Sequence, residues 1–155
     1  GMTGNRNIIK NFGYVSRMDN LQAAVLNYRL DKLKEIIKAR RKNAKFYMQN
    51  LDDSKITVIN EKSYQFNTYH TFVIQVPKRD KLKKFLKSKN ILTYIHYPIP
   101  IHKQKAYKKM NFKTSSLPIT ELQSKQILSI PVHHNLAKQQ LKYIVNAINN
   151  FYKYE

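Results

Sequence analysis

The stretch YIHYPIPIHKQKAY, Tyr94 to Tyr107, gathers two histidines and three tyrosines around Pro98 and Pro100. Proline fixes φ and removes a backbone donor, so this loop is shaped before any ligand arrives. It follows an expected strand, ILTYIHY, and loops leaving strand ends are common places for ligand-holding groups. Imidazole and phenol can each donate and accept hydrogen bonds, so the loop offers partners to a sugar or a phosphate. The same residues also suit a rigid turn whose rings pack on the core, the reading composition alone favours. A second candidate wall is GYVSRMDNLQAAVL, Gly13 to Leu26, where a polar turn carrying Ser16 and Arg17 runs straight into a helix.

Other chemistry is sparse. His133 and His134 are adjacent, so on a strand they point to opposite faces and do not share a metal; no metal site is expected. His70, beside Tyr69, is expected in or against the sheet. There is no cysteine, which removes disulfides, thiolate metal sites and thiol nucleophiles together and fits a cytoplasmic protein. The three glycines, at positions 1, 4 and 13, leave no glycine-rich phosphate loop. Gly1 ahead of Met2 reads as the scar of a cleaved tag.

The elements that position these residues follow from periodicity. Apolar residues from Leu21 through Tyr28, Leu33, Ile37 and Tyr47 to Leu51 keep helical spacing, with lysines opposite. They predict one helix of about 30 residues, bent midway and long for a small domain, with Asp19 or Ser16 as its cap. Strands are predicted at Ile56 to Ile59, Tyr69 to Val76, Ile91 to Tyr97 and over ILSIPVH. Helices are predicted at Arg79 to Lys89, Ile119 to Gln126 and after Asn135, the last with Leu141, Ile144, Val145, Ile148, Phe151 and Tyr152 as its apolar stripe. The order helix, β, β, α, β, α, β, α defines an α/β (α+β) fold, a small sheet backed by helices.

At 155 residues and 42% hydrophobic content the chain suits one ordinary domain with a real core. No apolar run approaches the roughly 18 residues of a membrane span, and no membrane partner is expected. Twenty-nine Lys and Arg against nine Asp and Glu give a net charge of +20. Such an excess raises nucleic acid as a partner. The lysines are spread over helix faces, however, and outnumber arginine, the better bidentate reader of phosphates and bases. Nucleic acid is therefore not the favoured partner.

Three segments carry a family resemblance. FGYVSRMDNLQAAVL resembles the G-x-N-x-R-[ML]-D-x-[LI]-Q-A-A signature of the DegT/DnrJ/StrS-type nucleotide-sugar aminotransferases. IHYPIPIHKQKAY resembles that family's H-Y-P-x-P-x-H-x-Q-x-A-Y segment, and LPITELQSKQILSIPVHHNL resembles its L-P-x-[TS]-E and LSLP-[IL]-H stretch. The resemblance implies the C-terminal small domain of a fold type I aminotransferase: a long connecting helix and a small, mostly antiparallel sheet with helices on one side. It places a junction to a pyridoxal-phosphate (PLP) domain at residues 1–18 and the small domain at 19–155.

It also implies PLP-dependent transfer of an amino group, usually from glutamate, to a keto-sugar on a nucleotide. Arg17 matches the first motif's Arg, which lies near the active site and reaches toward the partner subunit, and Ser16 sits beside it. His96, Tyr97 and His102 match the second, whose loop borders the substrate pocket. Val15 stands where many members carry an Asn that reaches the cofactor phosphate. No lysine here has the family's Ser-x-x-x-Lys context for a Schiff base, so the chain is expected to be a fragment or truncated product that neither binds PLP nor transaminates alone. Its expected partners are a PLP-domain chain, a second copy through the long helix, and a nucleotide sugar. The alternatives are a non-catalytic sugar-nucleotide-binding or dimerisation module and, less favoured, a basic nucleic-acid-binding regulator.

Overall fold

The computed structural model describes residues 8, 18–110 and 116–154. Val15, Ser16 and Arg17, with the first motif's polar turn, lie outside the described residues.

The predicted long helix is present as two segments, α1 (Asn20–Leu30) and α2 (Leu33–Asn50). Asp31 and Lys32 between them keep right-handed helical dihedrals, and the Lys32 N–H reaches the Arg29 carbonyl at 3.2 Å. That i to i−3 bond tightens one turn, which interrupts the regular helix without proline or glycine. Asp19 is the N-cap by backbone position, without a side-chain capping bond.

β1 (Thr57–Val58), β2 (Phe72–Gln75) and β3 (Ile127–Ile130) form one antiparallel sheet in the order β1-β2-β3. Phe72 pairs with Ile130, Val73 with Ser129, Ile74 with Leu128 and Gln75 with Ile127. Strand side chains alternate, so Phe72, Ile74, Leu128 and Ile130 share one face. All four are buried in a single core cluster with Tyr47 from α2, Leu82 and Leu86 from α3 (Arg79–Ser88), and Leu141, Ile144, Val145 and Ile148 from α6 (Lys138–Lys153). The predicted stripe of the last helix thus faces the core, with Phe151 and Tyr152 at its margin. Two short helices, α4 (Lys105–Lys108) and α5 (Pro118–Gln126), contribute nothing to that cluster. This is the expected small antiparallel sheet with the long helices on one side.

Two local expectations are corrected. The last helix begins at Lys138 with Ala137 as N-cap, not at Asn135. Gln140 Oε1 accepts the Ala137 N–H at 2.9 Å, so the glutamine three residues on caps the cap residue's own amide. Ile91 to Tyr97 is not a strand; only Tyr94 pairs, in a single antiparallel bridge to Ser129. Pro98 and Pro100 have no N–H to extend a ladder, so the pairing ends where the loop turns away.

Candidate functional site

α3 sets the start of the site loop. Its C-terminus closes with the Asn90 N–H on the Lys87 carbonyl at 3.0 Å and the Ile91 N–H on the Leu86 carbonyl at 2.9 Å. Asn90 takes φ 59°, a left-handed position that asparagine tolerates better than most side chains. Leu86 and Ile91 are both buried beside this turn, which fixes the direction in which residues 91–97 leave. The Tyr94–Ser129 bridge, at 3.1 and 2.7 Å, then holds the segment along β3.

The loop divides into an exposed front and a buried back. In front, His96 Nδ1 lies 2.9 Å from Ser129 Oγ, and its ring stacks on Tyr94 at 6.0 Å and meets the Tyr97 edge at 5.6 Å. The His96–Tyr97 peptide bond is cis. At the back, the 3-10 turn Ile101–Lys103 buries His102, whose Nε2 lies 3.1 Å from Glu121 Oε1. Lys103 Nζ reaches the same oxygen at 3.0 Å. The His102 hydrogen bond first, and the Lys103 bond second, hold the Glu121 carboxyl below its ordinary value of 4.5.

Among the sequence-chosen residues, His96 and Tyr97 touch, while His102 stands apart. Two cavities separate them. His96 lines one of about 360 Å³ with Arg40, His70, Thr71, Tyr94, Ser129 and His133. Tyr97 and His102 line a larger, mainly apolar groove of about 820 Å³ with Ile99, Ile101, Leu117 and Ile127. His70 is exposed at the mouth of the first cavity, ahead of β2 and not in the sheet, because β2 begins only at Phe72. His133 and His134 follow the end of β3 in a turn and serve different cavities, His134 lining a groove between α2 and α6.

The contacts of Arg40, Ser129 and Glu121 do not stand out in the sequence. Arg40 Nη1 donates to the Tyr69 carbonyl at 3.0 Å and the His70 carbonyl at 2.7 Å. The one available signal is the Arg40–Arg41 pair inside a helix otherwise served by lysine, since a guanidinium is the cation suited to several directed bonds. Ser129 and Glu121 fall at motif positions of the LPITELQSKQILSIPVHHNL segment, but their partners depend on which segments the fold brings alongside.

The sequence profile of the DegT/DnrJ/EryC1/StrS aminotransferase family matches residues 1–149. The chain belongs to this family. It is 34% identical over 92% of its length to a "Pleiotropic regulatory protein" of Geobacillus stearothermophilus, covering 39% of that protein. It is 34% identical over 90% of its length to the dTDP-3-amino-3,6-dideoxy-alpha-D-galactopyranose transaminase of Aneurinibacillus thermoaerophilus, covering 38% of it. Streptomyces venezuelae DesV, solved with a ketimine intermediate, superposes with a TM-score of 0.81 at 28% identity, over 97% of this chain and 40% of that one. This DegT/DnrJ/EryC1/StrS chain thus spans about two fifths of the length of these relatives.

The family implies pyridoxal phosphate, and the described residues do not fit it. A Schiff base needs a positioned amine, with a carboxylate for the ring nitrogen. The cavities lined by Lys42 and Lys89 contain no carboxylate, and the one with Lys83, Lys84, Lys87 and Asp80 contains no aromatic ring. Among the described residues, none supplies a step that runs through that group.

Proposed function

We propose that this chain forms the substrate-side C-terminal part of a PLP-dependent nucleotide-sugar aminotransferase of the cytoplasm. In it an amino group passes from glutamate to a keto-sugar carried on a nucleotide, and the cofactor is held by residues that this sequence does not include. The observation that carries the reading is the Tyr94–Tyr107 loop. In a chain of this family, a proline-shaped segment presents His96 and Tyr97 at the meeting of two cavities beside the sheet. His96 is oriented by Ser129, and its imidazole and the Tyr97 phenol supply hydrogen bonds to sugar hydroxyls. His102 acts behind them, bracing the loop on Glu121. Ser16 and Arg17 complete the substrate-binding set in this proposal.

Titration of the chain with a dTDP- or UDP-linked keto-sugar, followed by imidazole and tyrosine NMR signals, tests the proposal. Perturbation of His96 and Tyr97 at millimolar ligand supports it, and silence at that concentration overturns it. Turnover by the chain alone, given glutamate, cofactor and keto-sugar nucleotide, would contradict the assignment of the chemistry to residues outside this sequence. Binding without turnover is also what a purely binding module would show. Addition of a PLP-domain chain separates the two, since only the aminotransferase part then gains activity.

The same proposal includes self-association through α1. No residue of α1 is buried, and Leu21, Val25, Leu26, Tyr28 and Leu30 are exposed along it. Leu21, Val25 and Tyr28 share one face at i, i+4 and i+7, and exposed apolar surface of this kind marks contact faces. Sedimentation velocity over a concentration series tests it: a monomer throughout would remove α1 as a dimer surface.

A further inference from the structure

We infer that Arg40 and the imidazoles of His70, His96 and His133 form a phosphoryl-binding pocket at the end of the sheet where β2 begins and β3 ends. The inference starts from one face of α2. Arg40, Asn43 and Tyr47 fall at i, i+3 and i+7, so they lie along one side of the helix. Each holds a backbone carbonyl of a turn at the end of a sheet strand. Arg40 Nη1 takes those of Tyr69 and His70, Asn43 Nδ2 that of His133 at 2.9 Å, and the Tyr47 hydroxyl that of Pro131 at 2.7 Å. Two turns distant in sequence are thereby fixed to the same helix, and their histidines stand in the wall of the 360 Å³ cavity that His96 also lines.

The charge of this cavity is unbalanced. Its lining contains one guanidinium, three imidazoles and the hydroxyls of Thr71, Tyr94 and Ser129 over a largely apolar wall of Leu92, Ile130, Pro131 and Val132, but no carboxylate. Arg41, the next residue, shows the contrasting use of the same side chain. It forms two bonds to Glu61, at 2.8 and 2.9 Å, reaches the Asn67 carbonyl and lies 4.4 Å above the Phe66 ring. Arg41 is neutralised; Arg40 makes no ion pair among the described residues and is held in place only by neutral carbonyls. An oriented, uncompensated guanidinium ringed by imidazole donors selects an oxyanion, and phosphoryl oxygens fit its planar fork. The cavity volume suits a phosphate or diphosphate, not an entire nucleotide sugar.

The pocket rests on the proposed function for its natural ligand, the diphosphate linking nucleotide and sugar. Free phosphate is the other source of the same chemistry. The test uses the whole chain at near-physiological salt, with inorganic pyrophosphate as the probe and histidine NMR as the readout. Pyrophosphate should shift the His70, His96 and His133 signals, and Arg40→Gln and His133→Ala should each weaken binding about tenfold. His133→Ala keeps every α2-to-carbonyl bond, so it decides the matter if Arg40→Gln does not fold. Displacement of pyrophosphate by a nucleoside diphosphate assigns the pocket to the nucleotide, and displacement by inorganic phosphate alone assigns it to the free anion.

Shifts spread over the lysine-rich helices without these imidazoles would mean general attraction to a +20 chain and would overturn the pocket. So would binding of glutamate in place of pyrophosphate, or unchanged affinity in His133→Ala. A nucleotide sugar that still binds to His133→Ala with full affinity removes the pocket and leaves the proposed function standing. Pyrophosphate bound without any nucleotide-sugar binding does the reverse.

Discussion

Leu128 and Ser129 are neighbours on β3, equally closed to solvent, and they belong to different parts of the molecule. Leu128 pairs with Ile74 and points into the cluster shared by α2, α3 and α6. Ser129 pairs with Val73, points the other way, bridges to Tyr94 and holds the His96 ring. One face of the sheet is an apolar interior that any family of this fold must fill. The other carries the Ser129 hydroxyl, which faces Tyr94 and His96 beside a cavity. Burial alone does not separate the two; the direction of a side chain on the strand does.

The largest effect should come from the inner face. Leu128→Ala removes a fully buried side chain and should cost about 2–5 kcal/mol of stability, read from the urea midpoint, with little change in the shape of the pH dependence. A loss under 1 kcal/mol would mean that the two faces are not as unlike as their packing indicates. Tyr47→Phe is intermediate because Tyr47 serves both sides. Its ring packs against Phe72 at 5.1 Å, while its hydroxyl holds the Pro131 carbonyl. Burial pushes its phenol well up, so it stays a neutral donor across the working range. Removing the hydroxyl should cost about 1 kcal/mol and loosen the His133 turn, seen as a changed His133 NMR signal. An unchanged signal would show that Asn43 alone holds the turn.

Glu121→Gln tests the charged pair behind the loop, and here the sign can be worked out. The folded carboxyl titrates below its ordinary 4.5 because of His102 and Lys103, so the unfolded chain takes up the proton first as pH falls. The stabilisation is complete above about pH 4.5 and is lost as pH falls through the depressed folded value. The wild-type urea midpoint should therefore drop more steeply in acid than that of Glu121→Gln. Parallel curves would show that the His102–Glu121 pair does not stabilise the fold, in contrast to the pH-independent penalty expected from Leu128→Ala.

The parts legible in the sequence were those set by local period. The α6 stripe could be read because the same residues that form the helix also face the core. The interruption after Leu30 falls where a bend was expected midway, although no residue there breaks a helix. The Ile91–Tyr97 segment misled because strand-like composition says nothing about whether a partner edge is available, and two prolines follow it. His96, Tyr97 and His102 were chosen as candidates from the loop's composition and its motif, but neither revealed that His102 lies behind the loop and in a different cavity from His96. The contacts of Arg40, Ser129 and Glu121 were hidden for a shared reason. Each residue acts on a segment distant in sequence, 30 residues away for Arg40 and His70, and 33 for Ser129 and His96.

Ser129→Ala is the smallest perturbation of stability and the sharpest test of the two-faced strand. The hydroxyl contributes one hydrogen bond to a histidine that is itself exposed, so His96 can turn to water when the bond is lost. The bridge to Tyr94 uses only backbone groups and survives. Alanine fills the site without a clash, so the change in stability should stay below about 1 kcal/mol, several-fold less than Leu128→Ala one residue away. The imidazole should nevertheless lose its fixed orientation, since the ring nitrogen facing Ser129 sets which nitrogen faces the cavity. The His96 nitrogen signals should then show a mixture of tautomers, and nucleotide-sugar affinity should fall by about threefold to tenfold. A stability loss as large as that of Leu128→Ala would make Ser129 part of the interior. Full stability with unaltered His96 signals would show that Tyr94 and Tyr97 orient the ring without it.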